Sequence, residues 1–414
     1  VVALLLIVLI GGGIAARHGW AWYHLDAGRA ALAAYRNDRA RTHLEKCLAV
    51  WPENAEAHLL AARAERRAGR FAEAEQHIDE CRKWAGPDMS DAAALEWALL
   101  HAAMGDLRSV EDSLQARLLK RPAEAPLIWE ALSTGYRRVC RMPDALACLN
   151  TWLAFEPGNA HAYFLRGEVH RQIGAVNRAR DEYAKVVELD PGHDEARRHL
   201  ARCLVKVGRY QDAAGHLETL LCKFPGDPEL QALLARTVHD RGERERSIAL
   251  LDEVLQAYPD YGPALRERGR IALVGAQFAD AEGWLRQAAE ALPYDYEVHF
   301  ALQQALQGQG RDAEAKKQLA LAQQLQNRSE RVNQIETREM TLRPSDAALH
   351  AELGELLIGL GRHDSGERWL QSSLQLDPQL PAAHAALARY YEKRGDTARA
   401  AYHRERAELK RPRR

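Results

Sequence analysis

The spacing of proline constrains this chain more than any other feature. Eleven of its sixteen prolines, at positions 52, 87, 122, 157, 191, 225, 259, 293, 344, 378 and 412, follow one another at intervals of 35, 35, 35, 34, 34, 34, 34, 51, 34 and 34. Proline cannot continue a helix, so this spacing marks a unit long enough for two helices and their turns. Units of that size cannot bury their apolar faces alone; they stack, and the core grows along one axis without closing. A length of 414 residues therefore reads as one array and not as two or three globular domains.

Counting back from each proline starts the units near residues 21, 55, 91, 126, 160, 194, 228, 262, 296, 347 and 381. The eighth position is then Gly28, Ala62, Ala98, Ser133, Gly167, Ala201, Ala235, Gly269, Gln303, Gly354 and Ala388, small in every unit but one. The twentieth is almost uniformly small as well, from Ala40 to Ala400. Two helices cross closely only where side chains are this short. The fifteenth position is Gly69, Gly105, Gly174, Gly208, Gly242, Gly310, Gly361 and Gly395 in eight units, as expected where one helix ends and the chain turns. Between units, Pro52-Glu53-Asn54, Pro157-Gly158-Asn159, Pro225-Gly226-Asp227-Pro228 and Pro344-Ser345-Asp346 each stop one helix and cap the next.

These units resemble tetratricopeptide repeats, whose pattern runs W-x2-L-G-x2-Y, then A, an aromatic or Leu, and P. Repeat five carries it most fully, with Tyr163, Gly167, Gly174, Ala179, Tyr183, Val186 and Pro191. The resemblance covers residues 21–414, with departures at Gln303 and Val110. It implies an all-α fold, a right-handed α-solenoid of about eleven helical hairpins whose concave face, lined by first helices, binds peptides or proteins. It does not name the partner. The expected layout is a hydrophobic segment at 1–17, repeats one to nine at 21–326, a helical extension at 327–346, and repeats ten and eleven at 347–414.

The interval of 51 inserts seventeen residues after repeat nine. Asp312 to Leu342 holds no Gly or Pro, which predicts one long helix or a helix broken near Asn327. Leu319, Leu321, Leu325, Val332, Ile335 and Met340 give it an imperfect apolar stripe, suited to packing on its neighbours or to docking.

Val1 to Ala16 lacks any charged side chain and is followed by Arg17, Trp20, Trp22 and Tyr23. Two readings fit: a membrane anchor with an interfacial aromatic belt, or a cleaved signal segment. The first predicts a single N-terminal span with extracytoplasmic repeats, the second a secreted or periplasmic protein. With repeat one beginning at about Ala21, the first reading also sets the array directly against the bilayer. The net charge of -1 gives no reason to expect nucleic acid. The terminal run Lys410-Arg411-Pro412-Arg413-Arg414 reads as a solvated end.

No H-E-x-x-H, G-x-S-x-G or phosphate-binding loop is present, and evenly spaced seams leave no separate domain for catalysis, so no enzyme and no cofactor is expected. His24, His58, His299, His350 and His384 recur at the fourth position, where the family carries an aromatic residue. They read as packing, not as metal ligands, because equivalent positions on successive helices lie roughly 10 Å apart. Cys47 and Cys81 read as small buried side chains.

The sharpest functional signal is a row of arginines at positions that face the groove in the family. Arg202, Arg236 and Arg270 occupy the ninth position of repeats six to eight, Arg198 and Arg266 the fifth, and Arg137, Arg138 and Arg171 continue the pattern toward repeat four. In a neutral protein such a row suits carboxylates, hence an acidic peptide or protein partner. The competing reading is internal pairing with Glu168, Glu195, Glu229 and Asp240. The function these features predict is a non-enzymatic, membrane-tethered interaction scaffold. The other reading is a regulatory or substrate-docking subunit of a separately encoded envelope enzyme.

Overall fold

A computed structural model describes residues 2–408, which form helices and turns with no strand among them; the side chains of residues 1–14, 87, 88 and 341 and all of 409–414 lie outside the description. The apolar face expected to anchor the chain therefore lies outside the described residues, as does the basic run Lys410–Arg414. Among the described residues no helix is long and apolar enough to cross a membrane. One helix, Val2–Ala33, runs unbroken from this segment through repeat one, where the sequence suggested a new start near Ala21. Only Gly19 interrupts the run of side chains there, and one glycine costs a helix about 1 kcal/mol, too little to break it.

Helices Ala55–Arg67, Ala160–Gln172, Asp194–Lys206, Pro228–Asp240, Gly262–Val274, Tyr296–Gly308, Ala347–Gly359 and Pro381–Lys393 each begin where the proline count starts a unit. Their starts are held by side chains: Asn54 accepts from the Ala57 N–H, Asn159 from Ala162, Asp227 from Glu229 and Leu230, and Asp346 from Ala348 and Leu349. Repeat three departs from the count. Its first helix is Pro87–Met104, because Pro87 occupies the first helical turn, where its missing N–H costs nothing.

Every unit turns through one left-handed residue. The eight glycines of the fifteenth position have φ between 68° and 92°, and the three units without glycine place Tyr35, Cys140 and Ala276 there at φ 55°, 61° and 53°. The turn therefore demands this conformation whatever the side chain. The seam between paired helices is equally strict. A Cβ added at Gly28 would lie 2.9 Å from Leu44, at Gly167 2.8 Å from Tyr183, at Gly269 2.5 Å from Leu285 and at Gly354 2.7 Å from Leu370. In each pair the small residue meets a large one sixteen positions later, and those large side chains are fully buried. Where Gln303 replaces the small residue, its counterpart Leu319 is only half-buried.

The contacts divide into two compact units, residues 1–138 with 144–155, and residues 139–143 with 156–414. Leu25, Leu32, Leu44 and Leu60 share one core cluster in the first; Tyr183, Val186, Leu200, Leu217 and Leu230 share one in the second. Within the second unit the inserted residues lengthen the second helix of repeat nine to Asp312–Gln334, straight through Asn327. The irregularity comes later, as a π-helical turn at Ile335–Glu339. That turn buries Glu336 against Gly174, and the Ser372 hydroxyl donates to the Val139 carbonyl at 3.0 Å, so repeat ten and the insertion fold back onto earlier turns of the same unit.

Left-handed geometry costs a non-glycine residue about 1–2 kcal/mol. Ala276→Gly is expected to raise unfolding stability by about 1 kcal/mol in denaturant titration, and Ala276→Val to lower it. Equal stability of all three proteins would contradict the assignment of strain to this turn.

Candidate functional site

The arginine track lies within the second unit from Arg171 to Arg270, and its side chains are engaged with carboxylates in a repeating manner. The fifth-position residues reach forward to the cap of the next first helix: Arg198 donates to Asp227 at 2.7 Å and Arg266 to Asp295 at 2.6 Å. Each of those aspartates also accepts a backbone N–H of the helix it caps, so one carboxylate ties two repeats together. At the ninth position Arg202 grips Glu229 through both arms at 2.5 Å, and Arg270 bridges Asp240 and Glu267 at 2.8 Å each. Arg171 holds Glu168 at 2.6 and 3.0 Å. Burial works to raise the Glu168 carboxyl, but Arg171 and the Tyr183 hydroxyl outweigh it and bring its pKa to about 2.

Arg236 is the exception. Its Nη1 stands 3.9 Å from Glu267 and 4.0 Å from Glu297, beyond hydrogen-bond reach, and its Nε is buried with no partner among the described residues. With Glu229, Tyr261, Arg266 and Glu267 it lines a cleft of about 190 Å3. Arg137 and Arg138 belong to the other unit, where the exposed Arg138 guanidinium lies 5.1 Å over the Phe71 ring. Internal pairing thus accounts for most of the row. A ligand carboxylate there must exchange with an internal one, which favours specificity of position over raw affinity.

One set of polar side chains escaped the sequence reading, and a second was read only in part. In the first unit Glu96 is wholly buried and accepts from Arg66 at 2.7 Å and Arg63 at 3.0 Å, while Arg67 donates to Glu130 and to the Leu32 carbonyl, both at 2.8 Å. Burial favours a protonated Glu96, yet the two guanidiniums keep its pKa below the ordinary value. The readable signal was Arg63, Arg66 and Arg67 at the ninth, twelfth and thirteenth positions, with glutamates in the following units. The second set is the fourth-position histidines, which are buried as expected but also hydrogen-bonded. His58, His299, His350 and His384 each set Nε2 2.8–3.1 Å from the carbonyl of the proline six residues earlier. Donation to that carbonyl leaves Nδ1 as an acceptor, and at His58 and His384 the Nδ1 of His77 or His403 lies 3.0 or 2.9 Å away. The spacing Pro-x5-His was visible in the sequence.

These groups titrate in opposite directions. Burial and the neighbouring His384 lower His403 to about 4, so its contribution to stability is complete above about pH 6.5 and declines as acid protonates the unfolded chain first. Burial raises Glu336 to about 7 against the opposing pull of Arg362 and Lys206, so the folded state favours its neutral form, and that advantage is lost as pH rises from about 4.5 through 7. No group of three or more His, Cys, Asp or Glu residues could hold a metal among the described residues. All six cysteines are free thiols; burial raises Cys47 and Cys81. Glu336→Gln is expected to raise the melting temperature at about pH 8 and to leave it nearly unchanged at about pH 4; an equal effect at both would contradict the buried, neutral carboxyl.

Two family models, both described as tetratricopeptide repeat, match this chain, one at residues 31–99, 172–237 and 204–271 and the other at 136–194. Cellulose synthase operon protein C of Pseudomonas fluorescens (strain SBW25) is 26% identical over 140 residues, 32% of this chain and 11% of that protein. DnaJ homolog subfamily C member 3 of Bos taurus is 23% identical over 199 residues, 43% of this chain and 40% of that protein. The chain thus spans from about a tenth to two fifths of these relatives' length. Among solved structures, PilW, a type IV pilus biogenesis factor, is 18% identical with a TM-score of 0.40, covering 47% of this chain and 91% of its own. Cut9 from the Cut9–Hcn1 hetero-tetramer covers 93% and 86% at 14% identity and a TM-score of 0.35. The family matches, the proline period and the left-handed residue at each helix–helix turn make this chain a tetratricopeptide repeat protein.

Proposed function

We propose that this protein is a non-catalytic scaffold whose first helices hold an acidic segment of a protein partner along Arg171, Arg198, Arg202, Arg236, Arg266 and Arg270. Arg137 and Arg138 join the proposal on sequence grounds alone. The observation that carries it is the state of Arg236, a cation at the middle of a paired track that no carboxylate among the described residues approaches closer than 3.9 Å. An incoming carboxylate completes that pair and exchanges with Glu229 or Glu267 on either side, and the guanidinium geometry favours a two-pronged grip. The same proposal includes a right-handed array of about eleven hairpins and a tether through residues 1–16, which rests on the apolar sequence there.

A second reading is a regulatory or substrate-docking subunit of a separately encoded envelope enzyme. The match to a cellulose synthase operon protein favours it. Affinity capture from native membranes distinguishes the two. Wild type is expected to retain a partner with an acidic segment, Arg236→Lys to retain it, and Arg236→Glu to bind it about tenfold less or worse. Equal capture by wild type and a folded Arg236→Glu protein would contradict the site. A captured enzyme that loses turnover without this chain would select the second reading.

A further inference from the structure

The insertion after repeat nine creates a cleft of about 1010 Å3 in the second unit, at the junction of the long helix with repeats ten and eleven. Arg328, from the inserted residues, donates to the Gly359 carbonyl at 3.1 Å, and a Cβ at Gly359 would lie 3.1 Å from that guanidinium. Tyr294, from the loop before repeat nine, packs against the turn at Gly361, where a Cβ would come within 2.4 Å of the ring and φ is +74°. The two glycines therefore let the long helix and the loop close on repeat ten. His363 connects the aromatic wall, with its ring 6.4 Å from Tyr294 and 6.1 Å from Tyr390.

The charges here differ from those of the arginine track. The glutamates on the wall are already used: Glu355 accepts from Arg389 at 2.9 Å, and Glu352 from Arg331 at 2.6 Å. Arg328 spends its bond on a backbone carbonyl, and Arg394 donates to the Tyr390 hydroxyl at 2.5 Å. Lys393 is exposed, and no carboxylate lies within 4.0 Å of Arg328, Lys393 or Arg394 among the described residues. Asp364 is the remaining acid on the wall, one against three. The cleft has the volume of a small-ligand or short-peptide site, a partly aromatic lining and an excess of uncommitted cations.

We infer that this cleft is a second binding site, distinct from the arginine track, for a short acidic peptide segment carrying an aromatic residue. The carboxylates pair with Lys393, Arg394 and the open side of Arg328. The aromatic ring packs on the exposed side of Tyr294 and His363, whose own rings meet edge to face. A side-chain carboxylate and a peptide C-terminus present the same group, and a blocked terminus separates them.

The test is fluorescence anisotropy of the full chain with four labelled probes: Glu-Glu-Phe-Glu-Glu with a free C-terminus, the same peptide amidated, Glu-Glu-Ser-Glu-Glu, and Lys-Lys-Phe-Lys-Lys. The acidic aromatic peptide is expected to bind, the serine peptide more weakly, and the lysine peptide not at all. Binding that survives amidation assigns the site to side-chain carboxylates, and binding lost on amidation assigns it to a terminus; both support the site. Lys393→Glu, which alters an exposed side chain, and the double variant Lys393→Glu, Arg394→Glu are expected to weaken binding about tenfold or more, while Arg108→Glu, the same charge reversal at an exposed side chain of the first unit, leaves it unchanged. Matching helical circular dichroism shows that the variants are folded. The inference is overturned if the lysine peptide binds as well, if wild type binds none of the probes, or if Lys393→Glu binds as wild type does. Loss in Arg236→Glu with Lys393→Glu unaffected would also overturn it, and would at the same time support the arginine-track reading.

Discussion

The rest of the fold depends on one close approach, made within each hairpin between a small residue on the first helix and a large one sixteen positions later on the second. At Gly28, Gly167, Gly269 and Gly354 the backbone itself is the surface on which Leu44, Tyr183, Leu285 and Leu370 lie. The same relation places Ala62, Ala201 and Ala235 opposite Ile78, Leu217 and Leu251, all fully buried. A core made of such contacts extends by one unit at a time, which is why period and composition at two positions carry so much of the architecture. The left-handed residue at the fifteenth position belongs to the same constraint. The second helix meets the first at this distance only if the chain reverses within that short turn, so Tyr35, Cys140 and Ala276 hold the conformation at a cost.

Charge in this protein is organised between units. Asp227 and Asp295 each cap a helix and receive an arginine from the preceding repeat, so a local signal for helix initiation also fixes the stacking of neighbours. The track that resembles a basic groove in sequence is therefore largely a lattice of mutual pairs. Such lattices set geometry and reject mismatched partners more than they add affinity. Arg236 stands outside these pairs although the repeats around it keep the regular register. Arg328, Lys393 and Arg394 line the place where the insertion displaces that register.

Local rules made much of this legible in advance. Proline, cap residues and glycine fixed helix starts and turns because each acts through the backbone within a few residues, and the eight first helices that begin on the proline count follow from that. Helix continuity was less readable: no residue from Arg17 to Ala21 is strong enough to break a helix, and Asn327 sits inside one despite its low propensity. Of the internal partners read from the sequence, Glu168, Glu229 and Asp240 hold Arg171, Arg202 and Arg270, whereas Asp227 and Asp295 were not named as partners of Arg198 and Arg266, because side-chain reach to the cap of the next repeat is not encoded in a single-unit pattern. The histidines had the right burial for an incomplete reason, because the proline carbonyl that receives Nε2 lies in the preceding loop. The cleft beside repeat ten arises from a change in register and had no signature beyond the interval of 51.

A double-mutant cycle on Gly269 and Leu285 tests the central claim most directly. Leu285→Ala removes a fully buried side chain and is expected to cost about 2–5 kcal/mol. Gly269→Ala inserts a methyl 2.5 Å from the Leu285 Cγ and is expected to destabilise by overpacking of about 1–3 kcal/mol, only partly offset by a helix-propensity gain of about 1 kcal/mol. The double variant should lose clearly less than the sum, by more than about 0.5 kcal/mol, because the added methyl then occupies space that the leucine vacated. Strict additivity, or a Gly269→Ala protein more stable than wild type, would show that the hairpins do not depend on this contact.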